Sequence, residues 1–184
     1  MTSFHDHANI HEELGLEIGE LGAVMLDLQP FTDKRLLPSS FLYESPSPDR
    51  WWIKGWVSDK PHLTLKYGLL RPAEEWADYV NQVLQGWTPE SVKILDVSSF
   101  ESPYPDEDYA CIILAIQNSE NLQDAYARLS YLPHVDTFTP FRPHVTLAYV
   151  KKECEVDAVN MLRGWFFALR EIEPMGLNLG SDRS

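Results

Sequence analysis

Cysteine is scarce in this chain of 184 residues: Cys111 and Cys154 are the only two, far apart and in unrelated surroundings. That excludes a disulfide framework and a cysteine-rich zinc site. Cys111 falls within an apolar run and reads as a small core residue, while Cys154 sits among charges. Basic residues are few as well. Fifteen Lys and Arg stand against 28 Asp and Glu, a formal charge of −13, and no stretch is rich in Lys or Arg. Proteins that grip long RNA or DNA neutralise many phosphates with a basic face, so this balance weighs against long nucleic acid as the main partner unless the few basic residues cluster. A small anionic ligand needs only a local positive pocket. No apolar run approaches the roughly 18 residues of a membrane span, and the acidic N-terminus is unlike a signal peptide. A cytoplasmic protein (in the host cytoplasm, if the chain is viral) with no membrane partner is expected.

What is present fits one globular unit. Hydrophobic residues make up 44% of the chain, enough for a buried core at this length. Residues 1–20 read as a polar extension. The spacing of His5, His7 and His11 can ligate a metal, but an acidic terminus is the favoured reading and no cofactor is expected. Gly22–Leu28 is an apolar strand closed by Pro30, and residues 31–60 are irregular, with Trp51, Trp52 and Trp56 around Lys54. Strands are expected over 61–67, 92–100, 109–117, 144–150 and 176–180. Helices are expected over 71–85, over 118–131 with Ser119 as N-cap, and over 157–169. This order predicts an α+β fold of two similar halves, a single bilobal domain over 21–182 that acts as a monomer.

Two of the strands repeat each other. PHLTLKY at 61–67 and PHVTLAY at 143–149 share five of seven positions. A match of that length arises by chance in roughly a quarter of chains this size, so its weight rests on content and placement. Histidine is rare here, and both copies open a strand that a helix follows. Side chains alternate along a strand, which puts His62, Thr64 and Lys66 on one face and Leu63, Leu65 and Tyr67 on the other. His144 and Thr146 likewise share a face, opposite Val145, Leu147 and Tyr149. Each strand then buries an apolar side and presents an imidazole and a hydroxyl, about 7 Å apart along the strand.

Such a pair of faces suits one kind of chemistry. Attack on a phosphodiester needs one group to take a proton from the nucleophile and another to give one to the leaving oxygen. Two histidines, with an ordinary pKa near 6.5, can hold those opposite protonation states near neutral pH. The threonine hydroxyls can donate hydrogen bonds to the nonbridging oxygens. Proton transfer and hydrogen bonding thus cover both ends of the displacement without a metal.

The paired motifs resemble those of the 2H (two-histidine) phosphoesterase superfamily, which includes LigT-like proteins named for 2′-5′ RNA ligation, 2′,3′-cyclic and 2′-5′ phosphodiesterases, and viral enzymes that destroy nucleotide signals. His62 and His144 stand 82 positions apart, as suits that family. The resemblance implies a duplicated bilobal fold, two antiparallel sheets flanked by helices around a central cleft. It implies that His62 and His144 are the catalytic pair and that Thr64 and Thr146 hold the phosphate. The substrate it implies is a small nucleotide: a 2′,3′-cyclic phosphate, a 2′-5′ linkage or a cyclic oligonucleotide signal, whose removal can serve evasion of antiviral defence by a phage-encoded member. RNA end processing or 2′-5′ ligation, and a non-catalytic nucleotide sponge, are the alternatives.

Five neighbours are candidates for substrate binding. Lys66 and Arg142 supply positive charge near the motifs. Trp56, Tyr104 and Phe141 fall in loops where aromatics can stack on bases. Tyr67 and Tyr149 fall on the apolar face and read as core.

Overall fold

The computed structural model describes residues 21–32, 35–57, 59–136 and 140–181, so the three N-terminal histidines lie outside the described residues. Strands β1 (Gly22–Leu28), β2 (His62–Leu69), β3 (Val92–Glu101), β4 (Tyr109–Ile116), β5 (His144–Lys151), β6 (Glu171–Ile172) and β7 (Pro174–Ser181) alternate with helices α1 (Ala77–Val83), α2 (Glu120–Leu129) and α3 (Glu155–Phe166). The strands build two antiparallel sheets, one ordered β2-β1-β7 and the other β5-β4-β3-β6. The α+β architecture with two helix-flanked sheets is as expected.

Each sheet has a helix-covered side. In α2 the Ser119 hydroxyl accepts from the Leu122 N–H at 3.3 Å and caps the first turn. Leu122, Ala125 and Leu129 then fall on one face and are buried, with the helix against β2. Ala158, Leu162 and Phe166 do the same for α3 against β3, β4 and β5. The strands answer with period-two burial: Ala110, Ile112 and Leu114 of β4 are wholly buried, as are Leu63 and Leu65 of β2 and Val145 and Leu147 of β5.

The halves repeat down to their irregularities. In β2, Val24 pairs with Lys66 and Met25 with Thr64, leaving Leu65 as an extra residue. In β5, Ile112 pairs with Ala148 and Ile113 with Thr146, leaving Leu147 extra at the equivalent place. Each motif strand therefore carries a β-bulge three residues after its histidine, and a bulge breaks the alternation of faces. β2 and β5 are edge strands of their sheets and lie against each other.

The Trp-rich segment is not a helix. Its described part holds two short 3-10 turns, Ser39–Phe41 and Pro48–Arg50, and then runs beside β5. The Tyr43 and Val57 N–H groups donate to the carbonyls of Tyr149 and Leu147 at 2.9 and 3.0 Å, and the Tyr149 N–H donates to Gly55 at 2.8 Å. Gly55 adopts φ +49°, and a Cβ there would sit 3.4 Å from Leu42 Cδ1, so a larger residue would be both strained and crowded. An ion-pair cluster pins the far end: Arg50 Nη1 meets Asp106 at 3.0 Å and the buried Glu107 at 2.5 Å, and Glu107 also accepts from Tyr43 Oη (3.2 Å) and Ser45 Oγ (2.8 Å).

Candidate active site

Both motif histidines are held the same way. His144 Nδ1 lies 2.8 Å from the Arg142 carbonyl and His62 Nδ1 lies 3.3 Å from the Lys60 carbonyl, in each case two residues back. A carbonyl can only accept, so Nδ1 carries the proton and Nε2 is the nitrogen left to exchange one. Thr64 is half-buried on the His62 side of β2, and Thr146 Oγ1 lies 4.0 Å from Cys111 Sγ on the His144 side of β5. Burial holds the His144 imidazole below its ordinary value, the bond to Arg142 partly restores it, and a charge on His62 lowers it further.

The bulges correct the face assignments. Lys66 pairs with the buried Val24 and is itself only 3% exposed. It points to the helix side, where its ammonium lies 4.6 Å from the Tyr126 ring centre and 3.4 Å from Asp136 Oδ1. It does not share the face of His62 and Thr64, because the extra residue Leu65 intervenes. Tyr67 and Tyr149, by the same shift, come round to the histidine face. Tyr149 pairs with Cys111, the residue that touches Thr146, and its ring meets Tyr109 edge-on at 5.5 Å. Cys111 is thus a floor residue of this face and not interior filling; burial pushes its thiol up to about 12.

The remaining candidates divide. Arg142 is exposed and its carbonyl orients His144. Tyr104 is half-buried with the Arg50 guanidinium 3.9 Å above its ring, in the cluster beside β5. Trp56 bridges to Ala148 and packs on the core. Phe141 stacks on Tyr126 at 4.6 Å, on the Lys66 side of β2. His134 binds the Leu132 carbonyl at 2.7 Å and Asp136 at 3.1 Å, also on that side. Periodicity alone did not mark Phe100, whose ring meets His144 edge-on at 5.0 Å. Among the described residues, no three His, Cys, Asp or Glu side chains gather as metal ligands, and no helix is long and apolar enough to cross a membrane.

The registers match the two faces position by position. Beside His62 stands Asp27 and then Gly176, where His144 has Ala115 and Asp96. Beside Thr64 stands Met25 and then Asn178, where Thr146 has Ile113 and Ser98. Beside Tyr67 stands Ala23 and then Gly180, where Tyr149 has Cys111 and Phe100. A duplicated frame thus carries two chemically different linings.

No curated protein matches this chain. Among solved structures, Usb1 of Kluyveromyces marxianus aligns over 92% of this chain and 97% of its own, with a TM-score of 0.48 and 11% identity. The same protein with uridine monophosphate aligns over 80% and 82%, with a TM-score of 0.43 and 11% identity. Residues 56–170, more than half of the chain and inclusive of both His-x-Thr strands, match the family described as the 2′-5′ RNA ligase superfamily, and the chain belongs to that superfamily.

Proposed function

We propose that this protein is a metal-independent phosphodiesterase that cleaves a small nucleotide by proton transfer between His144 and His62. The observation that carries the reading is the shared tautomer: both Nδ1 atoms are tied to carbonyls, which leaves both Nε2 atoms to handle protons. His144, kept neutral by burial, takes the proton from the attacking 2′-hydroxyl or water. The nucleophile's oxygen bonds to phosphorus as the bond to the leaving oxygen breaks, and His62 gives that oxygen its proton. Thr64 and Thr146 donate to the nonbridging oxygens, where charge is concentrated. Because one site needs a strand from each sheet, residues 21–182 work as one bilobal unit, a cytoplasmic monomer.

The charge of −13 supports a small substrate over a long polyanion, since the phosphate backbone dominates binding of long chains. A 2′,3′-cyclic phosphate, a 2′-5′ linkage and a cyclic oligonucleotide signal all meet that condition, and destruction of such a signal would blunt an antiviral defence. The family match favours one second reading, RNA end processing or 2′-5′ ligation, which is the reverse displacement at the same two histidines. A sponge has no need of paired proton carriers.

A panel of 2′,3′-cyclic mononucleotides, 2′-5′ oligoadenylates and cyclic di- and trinucleotides, followed by product analysis, tests the reading. Thr64→Val and Thr146→Val should each lower kcat by about 10²–10³-fold on the active substrate. Binding of every compound with turnover of none would point to the sponge.

A further inference from the structure

The lining differs most on the strand farthest from each motif. In the second lobe Phe100 fills this position and reaches His144, which is half-buried. The first lobe has Gly180 there, and Gly176 in the row of His62. A Cβ built on Gly176 meets nothing within 4 Å, and His62 is exposed. At Gly176 the first lobe is therefore open: a shelf of bare backbone beside one histidine, with no side chain of the described residues over it, whereas Gly180 further along the strand is buried.

Its polar groups say what can lie there. Asp27 is directly across from His62 in the register, and residues so paired carry their side chains on one face, about 5 Å apart at Cβ. Asn178 Nδ2 donates to Asp27 Oδ1 at 3.3 Å, which orients the carboxylate and leaves its other oxygen without a hydrogen bond among the described residues. A carboxylate repels a phosphate and accepts from hydroxyl or amino donors. We infer that the glycine shelf beside His62 is a subsite for the nucleoside that bears the leaving oxygen, with Asp27 accepting a hydrogen bond from its sugar hydroxyls. The inference deepens the phosphodiesterase reading and rests on it. It adds the demand that the leaving side be a neutral, hydroxyl-bearing nucleoside, not a further phosphate.

Equilibrium binding of two probes to the full chain tests this. Adenosine 5′-monophosphate has the oxygen, phosphate and sugar of a leaving nucleoside; methyl phosphate has only the phosphate. Gly176→Leu, which the open space accommodates, and Asp27→Asn, which keeps the side chain's size, should each weaken the nucleotide at least tenfold and methyl phosphate less than twofold. The steric and the polar variant should agree. Equal effects on both probes, or none on the nucleotide, would overturn the subsite. Failure of the parent reading looks different: full activity in a variant lacking His62 or His144, whatever the shelf binds.

Discussion

Lys66 Nζ, buried at the back of β2, lies 3.4 Å from Asp136 Oδ1 in the loop that leads to the second motif. The pair ties the first His-x-Thr strand to the approach of the second, on the side away from His62 and His144, where His134 also binds Asp136. Burial holds the ammonium below its ordinary value, and the Asp136 carboxylate pulls it back up. The partner is 61% exposed and can rehydrate if the lysine is lost.

Lys66→Met should therefore be tolerated. A buried ion pair replaced by an apolar residue of similar size is often neutral, so a stability change within about 1 kcal/mol is expected. Turnover should stay within about threefold, since the ammonium is buried on the helix side of β2, against Tyr126 and Asp136. Steady-state kinetics on the best panel substrate checks this; a loss of kcat beyond tenfold would return Lys66 to the site.

Arg50→Met should behave in the opposite way. Glu107 is 5% exposed and Arg50 is its cation. Removing the arginine leaves a buried carboxylate uncompensated, a cost of about 3–5 kcal/mol. Urea unfolding of this variant beside Glu107→Gln measures it, and the glutamine variant should lose less. A loss under about 1 kcal/mol for Arg50→Met would mean that the cluster does not pin the Trp-rich segment.

These two residues also mark what sequence could and could not reveal. The motifs, Ser119 as a cap and the strand at Gly22–Leu28 are local patterns, and the structure carries each of them. The bulges at Leu65 and Leu147 are not local. An extra residue is defined by the hydrogen-bond register with a neighbouring strand, so strict alternation put Lys66 on the wrong face and Tyr67 and Tyr149 in the core. The segment 42–57 has no periodicity of its own because its partners, Leu147 and Tyr149, lie about a hundred residues away.

The depressed His144 gives a pH dependence with a definite sign. The base must be neutral, so kcat/KM should rise with pH through a limb centred below the ordinary histidine value near 6.5. Stability follows the same group. Between its native value and about 6.5 the unfolded chain holds more protons at this site, so unfolding free energy grows with pH and levels off above that window. Thermal melts from pH 5 to 7.5 should show a shallower slope for His144→Gln than for the parent protein. Parallel slopes would remove the burial argument for His144 as base.

Cys111 should be inert despite its place on the floor. With its thiol pushed up to about 12, only about one molecule in ten thousand is thiolate at pH 8. Iodoacetamide under native conditions should leave Cys111 unlabelled by peptide mass analysis. Ready labelling would show that the floor opens to solvent more than its burial implies.

The most direct measurement is turnover in excess EDTA by the intact protein, His62→Ala and His144→Ala, on whichever panel substrate it cleaves. The wild-type rate should be unchanged by EDTA, and each alanine variant should lose at least about 10³-fold in kcat. Abolition by EDTA would contradict metal-free cleavage, and full activity in either variant would contradict the two-histidine site.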